Sequence, residues 1–232
     1  MLLQKLFRKL KCILHINPNN ERVSFNSNSL YIGHLKVTYK GIKAIRCPFD
    51  YLIYQMIISE IKPDLIIEIG TNEGGSALYL ADLMVANNIK GEIHTIDINR
   101  VAYENIKSNS MIKFFSNGWE DYDINLAAGF NTILVIEDAA HTYECTIGVI
   151  EKFSKVVTSG SYLIVEDGIV NKLGMEHQFN GGPLRAIREF LPRHPEFKVD
   201  RKWCDLFGKN ATFNVNGYLK KSPIIKNDNP RK

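Results

Sequence analysis

With 232 residues, 45% of them hydrophobic and 10% aromatic, the chain is long enough to bury the core of one folded domain with short additions. Its formal net charge is +4, yet four of its 29 Lys and Arg (Lys5, Arg8, Lys9 and Lys11) stand near the N-terminus without an acid, and the rest balance the 25 Asp and Glu. A balanced body with a basic head excludes the continuous basic stripe that broad nucleic-acid binding needs, and Cys12, Cys47, Cys145 and Cys204 are spaced too widely for a zinc site or a disulfide framework, which fits a reducing cytoplasm.

Along residues 1–16, Leu3, Leu6, Phe7, Leu10, Ile13 and Leu14 recur at helical spacing between the bases, which predicts a basic amphipathic helix. Such a helix either lies on an anionic membrane surface or docks on the domain or a second subunit. No apolar run reaches the ~20 residues that span a bilayer, and the interrupting charges are unlike a signal peptide. Residues 17–30 are polar and without a period, and read as a linker or loop. The catalytic domain is expected over residues 31–222, with a polar tail over 223–232.

From about residue 49 the sequence alternates short β-branched runs with helical-length segments, the pattern of a parallel sheet with crossover helices. The stretch YLIYQMIISEI at 51–61 suits a helix packed on the sheet or at a subunit contact. Strands are expected at Asp64 to Ile69, Glu92 to Asp97, Met111 to Phe115, Thr132 to Glu137 and Tyr162 to Glu166. Phe197 to Asp200 and Ala211 to Tyr218 supply candidates for two more, the last pair antiparallel. The fold class is therefore α/β: a Rossmann-like, doubly wound, mostly parallel sheet of seven strands behind an N-terminal helical extension.

The first strand runs from an acid, Glu68, into a glycine turn that opens a helix. Gly70 permits the turn, Gly74 and Gly75 permit close approach to the backbone, and Ser76 is able to cap or donate at the helix start. The second strand ends at Asp97, about 25 residues after the first glycine, near the offset at which nucleoside folds place a ribose-binding acid. The gap from Gly70 to Gly74 is wider than in a dinucleotide fingerprint, which favours an adenosine ligand without a pyrophosphate. A purely structural Asp97 would instead cap the helix that follows it.

The fourth strand carries Asp138 at its C-terminal end and His141 three residues on; the fifth ends in the pair Glu166 and Asp167. In a parallel sheet these strand ends share one edge, where ligands collect. Three converging carboxylates call for a cation, and an all-oxygen set suits magnesium, calcium or manganese. An imidazole titrates near neutrality, so His141 is the candidate base for a hydroxyl proton. The plain alternatives are a helix cap at Asp138, solvated loop acids at Glu166 and Asp167, and a loop hydrogen bond or an indirect metal contact for His141.

Taken together, the blocks YKGIKAIRCPFDYLIYQ, IIEIGTNEGGSALYLADL, HTIDI, VIEDAAHTYE, SGSYLIVEDG, GGPLRAIREFLPRHPEFKVDR and FNVNGYLKK resemble the cephalosporin hydroxylase-like family, which includes rhamnosyl O-methyltransferases. The resemblance implies a class I methyltransferase fold, S-adenosylmethionine at Glu68, Gly70, Gly75, Ser76 and Asp97, and a magnesium-type site at Asp138, Glu166 and Asp167. Thr71, Asn117 and Asp138 complete the expected cofactor set. A wider likeness to catechol O-methyltransferases suggests the same layout, with His141 where those enzymes carry a lysine base.

The expected reaction is metal-assisted methylation of a hydroxyl, with His141 taking the proton and His177, Gln178 and Phe179 in the loop over the acceptor. A sugar hydroxyl in a surface polysaccharide or lipid-linked glycan fits both the sugar members of the family and the basic head. An iron oxygenase would need a facial triad with two histidines on an all-β scaffold, and neither is legible here. A non-catalytic S-adenosylmethionine-binding subunit is the other alternative, and the intact acids at 138, 166 and 167 count against it.

Overall fold

The computed structural model describes residues 23–222. The helix expected over residues 1–16 and the tail at 223–232 lie outside the described residues. Overlapping the end of the stretch expected to be a linker, Ser27–His34 form the first described helix, α1. The reason is local: Asn26 accepts from the Ser29 backbone N–H while the Ser29 hydroxyl answers the Asn26 backbone, a reciprocal cap that makes a polar Asn/Ser run start a helix. Leu30 and Tyr31 then pack on Cys47, Ile169, Phe213 and Val215.

A short antiparallel hairpin, β1 (Thr38–Tyr39) and β2 (Ile42–Lys43), leads into α2 (Pro48–Ile61), which begins on a proline and ends at Lys62 in left-handed backbone. The α/β units follow: β3 (Leu65–Ile69), α3 (Gly75–Ala86), β4 (Glu92–Ile96), α4 (Tyr103–Ile106), β5 (Ile112–Phe115), β6 (Ile133–Glu137), α5 (Tyr143–Phe153), β7 (Tyr162–Val165), α6 (Gly182–Phe190), β8 (Phe197–Val199), α7 (Arg201–Cys204) and β9 (Tyr218–Lys221). They build a seven-stranded sheet in the order β5-β4-β3-β6-β7-β9-β8. Only β9 runs antiparallel to its neighbours β7 and β8.

The central strands are buried on both faces. Leu65, Ile67 and Ile69 face Val149, Ile150 and Phe153 of α5 and Ala186, Ile187 and Phe190 of α6. Ile66 faces Ile53, Tyr54, Ile57 and Ile58 of α2 and Leu80, Ala81 and Met84 of α3. The 51–61 stretch thus packs on the sheet, leaving Leu52 and Met56 exposed.

A second sequence expectation also fails. Only Tyr218 of the Ala211 to Tyr218 run is strand; residues 211–217 make turns. The buried Asp50 carboxylate draws this segment inward, accepting from the Phe213 backbone N–H at 3.0 Å, from the Thr212 hydroxyl, and from Tyr218 Oη at 2.9 Å. Asn216 is left-handed, at φ 55, so extended pairing cannot pass through it.

Register is what gathers the site. Ile69 stands opposite Ile96 on one side and Glu137 on the other, and Glu137 opposite Val165. The next residue of each strand, Gly70, Asp97, Asp138 and Glu166, therefore emerges in one row at the C-terminal edge, where open α/β sheets bind ligands.

Candidate active site

The loop after β3 is dictated first by the protein's own packing. Gly70 has φ +103, and a Cβ there would lie 1.9 Å from the Asp138 carbonyl oxygen; glycine alone lets β3 and β6 leave the sheet side by side. At Gly75 a Cβ would lie 2.3 Å from the Lys43 carbonyl oxygen, so the hairpin rests on the start of α3. The close approach expected at Gly75 is met by the chain's own backbone.

Beneath this loop runs a buried polar network. Glu68, fully buried, accepts from Thr95 Oγ1 at 2.7 Å and from the Ser76 hydroxyl, and Thr71 Oγ1 is 2.7 Å from Thr95 Oγ1. Burial holds the Glu68 carboxyl above its ordinary range against the opposing pull of Arg46. Three residues expected to touch cofactor, Glu68, Thr71 and Ser76, thus form the floor that fixes the loop. Asp97 is half-buried and accepts from the Asn72 and Asn99 backbone N–H groups, at 2.9 Å each and on different oxygens. Each oxygen keeps a second lone pair for a ligand hydroxyl. Asn117 is exposed and lines a cavity of about 400 Å³ with Arg100, Phe115 and Tyr122.

Next to that floor, Asp138, His141 and Asp167 each present a ligand atom within 4.8 Å of the others. His141 Nε2 lies 3.3 Å from Asp167 Oδ2 and 4.0 Å from Asp138 Oδ1, and the Phe179 ring meets the imidazole edge-on at 6.2 Å. His177 and Gln178 are exposed. Burial, the Glu166 charge and the Asp167 charge push the Asp138 carboxyl well above the ordinary carboxylate range, while Arg46 pulls against them. Such mutual repulsion is what a cation relieves, and two mostly buried carboxylates, with side chains 17% and 18% exposed, are a donor set for a hard divalent ion.

Glu166, the third acid expected at the ion, lies beside Asp138, the two sharing the Arg46 guanidinium. Its side chain is gripped by Arg46, with Nε 3.0 Å from Oε1 and 3.2 Å from Oε2 and Nη2 2.5 Å from Oε1, and Tyr54 Oη donates to Oε1 at 2.7 Å. The sequence reading missed Arg46 and Tyr54. A lone arginine inside the apolar run AIRC, just ahead of a proline-started helix, was the one available signal, because an arginine among buried residues needs an acid.

A family model described as Rhamnosyl O-methyltransferase/CmcI matches residues 33–222. The chain is 28% identical over 213 residues to a Rhamnosyl O-methyltransferase of Mycobacterium bovis, covering 86% of this chain and 85% of that protein. It is 28% identical over 191 residues to one of Mycobacterium leprae, covering 78% and 82%. A CmcI structure described as Mg-SAM is similar in fold, with TM-score 0.61 at 16% identity over 89% of this chain and 82% of that one. The O-methyltransferase TomG from Streptomyces achromogenes, in complex with SAM, gives TM-score 0.51 at 16% identity over 78% and 82%.

Proposed function

This chain belongs to the Rhamnosyl O-methyltransferase/CmcI family as an S-adenosylmethionine-dependent O-methyltransferase, and we propose that it methylates a sugar hydroxyl beside a divalent cation held at Asp138 and Asp167. The observation that carries this reading is the juxtaposition, on one sheet edge, of Asp97 with its free lone pairs and the Asp138–His141–Asp167 cluster.

In this reading Asp97 accepts the vicinal ribose hydroxyls, and the rigid turn at Gly70 sets the adenosine relative to Asp138. Asp138 and Asp167 supply oxygen ligands suited to magnesium or manganese. A bound cation would act as a Lewis acid on the acceptor hydroxyl. His141 Nε2 takes the hydroxyl proton as the oxygen attacks the sulfonium methyl, forming the O–CH₃ bond as the S–CH₃ bond breaks. The imidazolium is then stabilised by Asp167 at 3.3 Å and Asp138 at 4.0 Å. The chain's main contribution is alignment and fixed charge, since the sulfonium already carries a reactive methyl group. Phe179, edge-on to His141, is suited to exclude water over the acceptor.

The sugar acceptor is supported by the Rhamnosyl O-methyltransferase relatives. A lipid-linked or surface glycan is supported by the basic residues Lys5, Arg8, Lys9 and Lys11 interleaved with leucines, a pattern that peripheral membrane binding uses. No helix among the described residues is long and apolar enough to cross a membrane.

Calorimetric titration with S-adenosylmethionine, in magnesium and then in chelator, tests the site assignment. Binding that is lost in Asp97→Ala and survives in Asp138→Ala is the expected result. Absence of binding to the wild-type protein under every condition would sink it. For the acceptor, a deletion strain is expected to lose a methyl group from one glycan, and removal of residues 1–16 to release the enzyme from membranes; if neither change occurs, the glycan and membrane readings fall.

A further inference from the structure

The two oxygens of the buried Glu166 carboxylate are held unequally. Oε1 accepts from Arg46 Nη2 at 2.5 Å, from Tyr54 Oη at 2.7 Å and from Arg46 Nε at 3.0 Å. Among the described residues, Oε2 has only a share of the same Nε, at 3.2 Å. Each carboxylate oxygen offers about two lone-pair sites, so Oε1 is fully used while Oε2 keeps a free acceptor position. The donors themselves are fixed. Arg46, 1% exposed, also donates through Nη1 to Ser76 Oγ at 2.8 Å and lies 4.4 Å from the centre of the Tyr54 ring. Tyr54 is packed between α2 and the sheet against Ile66, Ile164 and Tyr218. The Arg46 guanidinium stands 3.6 Å from Asp138 Oδ2, so Glu166 and Asp138 flank one group at the sheet edge.

We propose that Arg46 and Tyr54 are positioning residues that set metal selectivity: by occupying Oε1 they leave Oε2 as the single oxygen through which Glu166 binds the cation, which favours magnesium or manganese over calcium. This rests on the cation reading of the preceding subsection and gives Glu166 a part in it beside Asp138 and Asp167. The selectivity follows from coordination chemistry. Magnesium demands near-ideal octahedral geometry, whereas calcium takes about six to eight oxygens at longer distances and accepts both oxygens of one carboxylate. A carboxylate whose second oxygen is already filled by a fork and a phenol has no second bond to give the larger ion. Groups that hydrogen-bond a ligand from behind fix its orientation and tune the metal it selects.

The test uses Mn²⁺ and Ca²⁺ as probes on the full-length protein. Free Mn²⁺ is read by its electron paramagnetic resonance signal and Ca²⁺ by its displacement of Mn²⁺, so nothing depends on turnover. The paired substitution Arg46→Lys with Tyr54→Phe keeps the buried positive charge and removes the fork and the phenol donor. The expected result is a preference for Mn²⁺ over Ca²⁺ that falls by about tenfold, the scale on which second-layer hydrogen bonds act on a metal. A purely structural role would weaken both ions alike, and an unchanged preference overturns the proposal. A crystal of the wild-type protein soaked in Mn²⁺ gives an answer that does not depend on how the variant folds. An anomalous peak bonded to Glu166 through Oε2 alone, with Arg46 and Tyr54 still on Oε1, supports the proposal; a bond to Oε1, to both oxygens or to neither overturns it. Failure of the wild-type protein to bind either ion would remove the cation reading itself and this inference with it, an outcome distinct from binding whose selectivity ignores Arg46 and Tyr54.

Discussion

His141 Nε2 lies 3.3 Å from Asp167 Oδ2, and both residues stand in left-handed backbone, at φ 58 and φ 53. Residues that carry a side chain seldom take that conformation, and His and Asp are among the few that tolerate it. The two loops are bent so that an imidazole and a carboxylate from different strands meet. The imidazole's other nitrogen, Nδ1, is buried without a partner, so the ring's orientation is set by Asp167 and by the backbone.

That arrangement separates folding from catalysis at one position. Asn tolerates left-handed backbone, so His141→Asn is expected to keep its denaturation midpoint close to wild type. Methyl transfer should fall by about 10²–10⁴, the usual contribution of a general base. Steady-state rates beside a urea melt check both; a variant that retains full activity would remove His141 from the proton path.

Cation binding is expected to appear as thermal stabilisation, since an ion that binds only the native state adds about 2.7 kcal/mol at a concentration 100 times its Kd. Asp138→Asn should lose that response. Without added metal it should melt higher than wild type, because burial and the Glu166 charge oppose ionisation of this carboxyl in the native state, a cost that the neutral amide does not carry. Calorimetric scans with magnesium, manganese and chelator make the comparison.

Gly75 offers a test of the loop's construction. In Gly75→Ala the new methyl meets the Lys43 and Ile42 carbonyl oxygens, at 2.3 and 2.8 Å, and backbone cannot swing aside as a side chain does. A loss of about 1–3 kcal/mol is expected from such overpacking, read as a lower urea midpoint with unchanged slope. Gly33→Ala is the control: it sits in α1 with nothing within 4 Å of the added carbon, and should stabilise by up to about 1 kcal/mol.

Burial pushes the Asp50 carboxyl up to about 7, against the lowering effect of Thr212, Phe213 and Tyr218. In the unfolded chain an aspartate loses its proton near pH 4. Between those values the native state holds a proton that the unfolded state has released, so stability falls as pH rises from about 4 to about 7 and is flat for this group above that. Glu137, pushed up to about 7 chiefly by burial, adds a slope of the same sign. Melting temperatures across this range should decline in the wild type and decline less steeply in Asp50→Asn, and equal slopes would show that Asp50 does not titrate as described.

The sequence alone determined the alternation of strands and helices, and with it the row of Gly70, Asp97, Asp138 and Glu166, because the periods of β-branched runs and glycine turns are local properties of the chain. It misread Ser27–Leu30 as linker and Ala211–Gly217 as strand. In the first case a reciprocal cap turned polar residues into a helix start, and in the second a buried carboxylate 163 positions away, Asp50, claimed the Phe213 backbone. Residue type likewise marked Glu166 as one more acid at the sheet edge. Only the tertiary structure decided that Arg46, 120 positions earlier, pairs with it, since which acid meets which cation is fixed by the packing of α2 on the sheet and of the hairpin on α3, and nothing in the spacing of either segment encodes that contact.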